Sequence, residues 1–153
     1  MSHNESRGIV SVEFSTIVHA TEDAGRVMEA VLNIIPSELR GSISFTRRYL
    51  EGHHRNPIVM LTARVANKEM AKAIVKHLFT MLSRSERREL NLDLERSLDE
   101  ENNFYTRLDK QEAVNGRVRL TREDPIRVKV RTNTWRPTVE DIRKIFMDLG
   151  MTE

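Results

Sequence analysis

Between residues 9 and 18 apolar and polar positions alternate. Val10, Val12, Phe14, Thr16 and Val18 fall at period two, with Ser11, Glu13 and Ser15 between them. Successive strand side chains point to opposite faces, so this stretch predicts a half-buried strand. The period then lengthens. Val27, Met28, Val31, Leu32 and Ile35 recur at helical spacing behind Thr21, a candidate cap with Glu22 and Asp23 in its first turn, and Pro36 ends the helix. Two stretches, 42–50 and 58–65, read as strands joined by the loop Glu51-Gly52-His53-His54-Arg55-Asn56-Pro57. Asn67 can cap a helix carrying Met70, Ile74, Leu78, Met81 and Leu82. Ser83 and Glu86 have the spacing of a capping box opening a helix on which Leu90, Leu94 and Leu98 share a face. A short strand over 104–108 follows. Val118 and Leu120, a turn at 122–125, and Val128 and Val130 read as a further hairpin. Thr138 caps a last helix with Val139, Ile142, Ile145, Phe146 and Leu149 inward.

Strands adjacent in sequence and joined by short turns favour antiparallel pairing. The predicted fold class is therefore α+β: a two-layer sandwich of a mostly antiparallel sheet with helices on one face, leaving the other face to solvent. A chain of 153 residues without a linker or internal repeat fits a single domain over 1–153, with 1–8 expected to be a flexible N-terminus.

Composition removes several function classes. With no cysteine there is no disulfide scaffold, thiolate zinc site, iron–sulfur cluster or cysteine nucleophile. No apolar run reaches the roughly 18 residues that span a bilayer, and the polar start lacks a signal segment, so no membrane contact and a cytoplasmic location are expected. Glycine-rich nucleotide loops, His-Glu-x-x-His and Gly-x-Ser-x-Gly are absent from the sequence, and no cofactor or metal is expected.

Charge changes the picture more than its total of +2 suggests. Residues 117–136 hold seven cations and two acids, a net +5, while 84–101 hold four cations and seven acids, a net −3. Arg117 and Arg119 alternate with Val118 and Leu120, and Arg127, Lys129 and Arg131 with Val128 and Val130. Paired as a hairpin, these strands would set cations opposite cations, which works against the fold unless anions meet them. A solvated basic face is one reading; a face for a phosphate backbone is the other, favoured by the predominance of Arg, whose planar fork suits phosphate. Tyr105, Trp135 and Tyr49 could stack on bases, although Trp135 is expected to pack over a core edge. The carboxylates of Asp99, Glu100 and Glu101 are expected to close a helix and be compensated by Arg or Lys from the next strand.

The loop with His53 and His54 fits a histidine metal site, acid–base catalysis, or contact with phosphates and bases, aided by Arg47, Arg48 and Arg55; an inert polar tip is the plain alternative. Three stretches, 18–23 (VHATED), 51–58 (EGHHRNPI) and 107–111 (RLDKQ), resemble the archaeal RNA-binding family labelled predicted exosome subunit, over residues 9–149. The resemblance implies a fold like that of the large-subunit ribosomal protein that holds 5S RNA, RNA binding, and association with RNA-processing machinery. Members of that family usually carry a small residue, often Gly, where Arg55 stands here.

The leading expectation is a non-catalytic RNA-binding protein with contacts from Arg47, Arg48, His53, His54, Arg55, Arg107, Lys110, Arg117, Arg119, Arg127, Lys129 and Arg131. RNA, with subunits of an RNA-processing complex, is the expected partner. The alternatives are a phosphodiesterase or RNA nuclease using His53 and His54, with Glu51, Asp109 and a metal, or an assembly subunit docking through the acidic segment 84–101. Oligomeric state is left open.

Overall fold

The structure, a computed structural model, describes residues 8–52, 56–133 and 135–152. Five strands, β1 (Ile9–Val18), β2 (Phe45–Glu51), β3 (Pro57–Val65), β4 (Phe104–Asp109) and β5 (Pro125–Thr132), form one sheet in the order β2-β3-β1-β5-β4. Every neighbouring pair is antiparallel. The helices are α1 (Ala24–Asn33), α2 (Lys68–Met81), α3 (Arg84–Leu92), α4 (Lys110–Val114) and α5 (Val139–Asp148). The predicted α+β class holds.

Register explains the two-layer arrangement. Phe14 lies opposite both Ala63 and Val128, Val12 opposite Val65 and Val130, and Phe104 opposite Val130, so one parity of every strand contributes to a single apolar face. Val12, Phe14, Ala63, Val128 and Val130 are buried there with Ile34, Ile74, Ile142 and Phe146 of the helix layer. Phe146 is the hub: its ring lies 4.9 Å from Phe104, edge to face, and 5.5 Å from Phe79. The other parity, Glu13, Ser15, Thr62, Arg127, Lys129 and Arg107 among it, faces away from the helices. A bulge between Ile9 and Ser11 interrupts the period in β1, so Ile9, rather than Val10, is buried.

Local chemistry sets the helix starts. Asn67, Ser83 and Thr138 cap α2, α3 and α5 as predicted, the last two through reciprocal boxes with Glu86 and Asp141. Asp23, not Thr21, caps α1, by accepting the Gly25 N–H. The helix predicted through 84–101 stops at Leu92 and gives way to a 3-10 turn over Glu95–Ser97. Asp99 explains part of this. Its Oδ1 accepts the N–H groups of Glu101 and Asn103, a local alternative to continued helix. Its carboxylate is therefore compensated by N–H donors and by the Tyr105 hydroxyl, not by the expected Arg or Lys. No helix among the described residues is long and apolar enough to cross a membrane.

Candidate nucleic-acid interface

The predicted hairpin of 117–120 with 127–131 does not form. Strand β4 lies between its two halves: β5 pairs with one edge of β4, and the segment around Leu120 runs along the other. There Asp109 N–H donates to the Arg119 carbonyl at 2.8 Å, and Thr121 N–H to that of Arg107 at 3.0 Å. Pairing between sequence neighbours is a tendency only, and α4 supplies the length of chain needed to turn around β4. Arg117 and Arg119 are consequently split from β5. They sit beside the start of α3, where Arg117 pairs with Glu112 at 2.9 Å.

The cations of the open sheet face come from four strands instead. Arg48 on β2 lies opposite Met60, Arg64 on β3 opposite Glu13, Arg131 opposite Ser11, Lys129 opposite Glu13 and Tyr105, and Arg127 opposite Ser15 and Arg107. These six side chains share one face with the hydroxyls of Ser15, Thr46 and Thr62 and with two carboxylates, Glu13 and, at the end of β4, Asp109, which caps α4. None of the six is ion-paired with a described residue. With strands about 4.8 Å apart, the face spans about 19 Å from β2 to β4. Arg127 to Arg131 adds about 13 Å along β5. Because β5 is hydrogen-bonded on both sides, its cations stand on a rigid base.

Tyr105 organises the centre. Arg127 and Lys129 lie 5.3 and 5.9 Å from its ring, a cation–π arrangement on both. Its hydroxyl donates to Asp99 Oδ2 at 3.1 Å. Burial raises the pKa of Asp99, but the hydrogen bonds from Asn103, Glu101 and Tyr105 outweigh it and hold the carboxyl below its ordinary value. Asp99 thus stays anionic and fixes the ring. Beside it a cleft of about 460 Å³, lined by Arg107, Arg122, Arg127, Asp99 and Asp93, continues the face over the edge of β4.

Arg107 lies directly opposite Arg127. Like charges facing across an antiparallel pair cost the fold about 0.3 kcal/mol, the lower part of the usual range for exposed pairs. Arg107→Thr should therefore raise the unfolding free energy by about that amount, read as a higher urea midpoint at unchanged slope, while weakening polyanion binding. A lower midpoint would contradict the opposed-cation description.

Other sequence candidates are placed elsewhere. Arg47 shares the parity of Leu61 and turns to the helix side, its guanidinium 3.8 Å from Met28 Sδ. Lys110 is buried, with its side chain 3% exposed. Its Nζ donates to the Ile17 carbonyl at 2.8 Å, to Glu22 at 3.2 Å and to Asp124 at 3.1 Å. His19 Nε2 lies 2.8 Å from Asp124 Oδ1. The ligand atoms of His19, Glu22 and Asp124 lie within 4.8 Å of one another, close enough to share a cation, and the Lys110 ammonium supplies one. Burial pushes the Asp124 carboxyl up, but the hydrogen bonds and charges of His19 and Lys110 more than offset this and hold it low. Asp109, a candidate for metal-assisted chemistry, uses its carboxylate to cap α4 through the Glu112 N–H. His53, His54 and Arg55 lie outside the described residues. Their flanks are held at the same end of the sheet as Lys110: Gly52 N–H donates to the Asn56 carbonyl at 2.7 Å, and a Cβ on Gly52 would come within 2.9 Å of that oxygen.

Arg64 is the open-face cation absent from the sequence-based set. Its signal was parity with Met60 and Thr62 within an otherwise apolar run. Trp135 departs from its expected place over the core: it is 86% exposed, with the Arg136 guanidinium 5.5 Å from its ring.

Residues 11–132 match the family model described as RNA binding. The chain belongs to this RNA-binding family. It is 31% identical over 127 residues to RNA-binding protein PAB1135 of Pyrococcus abyssi, covering 82% of each chain. It is 36% identical over 119 residues to the uncharacterised protein MJ0213 of Methanocaldococcus jannaschii, covering 76% of this chain and 78% of that one. Among solved structures, protein AF2318 of Archaeoglobus fulgidus superimposes with a TM-score of 0.78 at 32% identity, covering 92% of this chain and 99% of that one. Mth689 of Methanothermobacter thermautotrophicus gives 0.72 at 30%, covering 90% and 98%. Within the family-matched span lie all of the open-face cations and the Lys110 cluster. Two of the three stretches that carry the resemblance to the RNA-binding family, 18–23 and 107–111, meet through Glu22 and Lys110, so what they share is a structural tie.

Proposed function

We propose that the open face of the sheet binds RNA through its phosphate backbone, with Arg48, Arg64, Arg107, Arg127, Lys129 and Arg131 as the contacts and no chemistry performed on the strand. The observation that carries this reading is the set of six cations on one solvent face, none ion-paired with a described residue and outnumbering its two carboxylates, Glu13 and Asp109, three to one. A fold without an anionic partner gains nothing from opposing Arg107 and Arg127, whereas phosphates would relieve their repulsion. Membership of the family and the name of the Pyrococcus relative support RNA as the source of those phosphates. On sequence grounds His53, His54 and Arg55 remain candidate contacts; Arg47, Lys110, Arg117 and Arg119 are left out because the first faces the helix layer, the second is buried and the last two lie beside α3. Association with an RNA-processing complex rests on the resemblance and not on the geometry.

Each phosphate neutralised on a single strand contributes about −0.7 to the slope of log K against log salt. Six contacts give a slope of about −4. Titrating a labelled single-stranded oligoribonucleotide at several salt concentrations measures it, and a slope near zero would remove the basic face from the reading.

A further inference from the structure

The largest exposed aromatic surface of the described residues lies just beyond the basic face. Trp135 follows β5, four residues after Arg131, so its Cα is within about 14 Å of that cation. The end of β5 is pinned by Gly8, whose N–H donates to Asn133 Oδ1 at 2.8 Å and whose carbonyl accepts the Asn133 N–H at 3.2 Å. Beyond it the turn is tied at its far end. Arg136 has φ +44°, a conformation that costs a non-glycine residue about 1 kcal/mol or more. The carbonyl of the next residue, Pro137, accepts a hydrogen bond from the Asn102 side chain, and Asn102 itself has φ +61°. Asn102 adjoins Asn103, which with Asp99 and Tyr105 forms the network under Arg127 and Lys129. The turn that presents Trp135 is therefore joined, by covalent and hydrogen bonds, to the centre of the basic face.

An indole exposed to water gains nothing for the fold, and a strained turn persists only where its surroundings enforce it. Here the strain places a guanidinium over the ring of Trp135. At 86% exposure the remainder of that ring is open. The other strongly exposed apolar side chains, Leu92 and Tyr49, lie on α3 and β2, whereas the group placed against the Trp135 ring is a cation, Arg136. An aromatic ring flanked by cations is the arrangement on which unpaired bases stack. Tyr105 cannot serve in this way, being only partly exposed and engaged by Arg127, Lys129 and Asp99. We propose that Trp135 is a stacking platform for one unpaired nucleobase, so that this protein takes RNA that is single-stranded, or carries an unstacked nucleotide, at the β5 end of the basic face. This rests on the phosphate-binding reading above and adds the kind of RNA; Trp135 itself falls outside the family-matched span.

Trp135 is the chain's one tryptophan, so its fluorescence reports on this site alone. The full chain is titrated with a single-stranded oligoribonucleotide, a blunt duplex of the same sequence and inorganic polyphosphate, with binding read by calorimetry and stacking by tryptophan emission. The expected result is binding of all three, with quenching by the single strand only. Trp135→Ala should weaken the single strand by about 5- to 30-fold, the lower part of the range for one stacked base, and leave polyphosphate unchanged. Trp135→Phe should stay within about threefold of wild type, since a smaller ring still stacks. Saturation by single strand with emission unchanged overturns the platform while leaving phosphate binding intact. Equal quenching by polyphosphate overturns it as a charge effect, and equal quenching by blunt duplex overturns the requirement for an unpaired base. Undiminished RNA affinity in Trp135→Ala overturns it in favour of a protein contact. Failure of both RNAs to bind at all overturns the phosphate reading itself.

Discussion

Exchanging Arg107, Arg127 and Lys129 together for Gln should weaken binding to a single-stranded oligoribonucleotide by about a hundredfold at 0.1 M salt. The estimate follows from counterion release. One phosphate contact contributes about 0.7 decade of affinity for each decade of salt, so at 0.1 M, one decade below 1 M, each cation is worth about fivefold. Three together give about a hundredfold, and the salt slope should fall from about −4 to about −2. These residues lie on the neighbouring strands β4 and β5, in two adjacent cross-strand rows, so they act on one stretch of backbone. Gln keeps most of the length of each stem while removing the charge. The substitutions relieve the opposition of Arg107 and Arg127 but also remove both cation–π contacts to Tyr105, so a urea melt of the variant beside the titration separates lost contact from lost structure. Arg117→Gln with Arg119→Gln is the matched control and should leave the slope unchanged, since those two side chains lie beside α3. Two results would count against the basic face: a triple variant with its slope intact, or one that loses as much affinity at 1 M salt as at 0.1 M.

Lys110→Met should have the opposite signature: a stability loss of about 2–3 kcal/mol with the salt slope unchanged. Removing one member of a buried ion pair commonly costs about 3–5 kcal/mol because the remaining charge is stranded. The figure here is lower because the Asp124 side chain is 49% exposed and water screens it. Three structural ties break at once. The ammonium joins the end of β1 through Ile17, the turn before α1 through Glu22, and the turn before β5 through Asp124. Met fills similar volume but takes the ammonium away from the Ile17 carbonyl and from both carboxylates, which keep only their bonds with His19. Asp124 has its folded pKa depressed, so its contribution is present above the ordinary carboxylate value of about 3.9 and is lost as pH falls through the lower, folded one. The difference between wild type and Lys110→Met should accordingly be full at neutral pH and narrow on the acid side. Denaturant melts across pH test this. A variant as stable as wild type that binds RNA with a shallower salt slope would instead restore Lys110 as a phosphate contact.

The cations of β5 and Lys110 mark the boundary of what the sequence could disclose. Period-two patterning identified β1 and placed Arg127, Lys129 and Arg131 on one face, because burial of Val128 and Val130 enforces that parity whatever the strand's partner. Caps at Asn67, Ser83 and Thr138 were legible because each acts within three residues of itself. Partner choice was not. Nothing local distinguishes a strand that pairs with its sequence neighbour from one that admits β4 between them, and that difference separated Arg117 and Arg119 from the cations of β5. Arg47 and Arg48 are adjacent, and only the register against Leu61 and Met60 decides which of them faces the open side. Lys110 reads as one more surface cation until the fold brings together carboxylates from positions 22 and 124. Trp135 was assigned to the core on the average behaviour of its residue type, whereas the turn at Arg136 and Pro137 carries it into solvent.

The position of β2 at the margin of the sheet has one more consequence. Its outer side offers backbone N–H and C=O groups that no other strand takes up, and such a margin can template the addition of a second molecule. Thr46, Arg47, Arg48 and Tyr49 there are all exposed, and the two arginines point to opposite faces. Two copies meeting along this margin would bring arginine against arginine above and below the joined sheet. The pair thus divides between the faces: Arg48 belongs to the basic face, Arg47 to the other, and like charges opposed on both faces would disfavour the joining of two sheets along this margin.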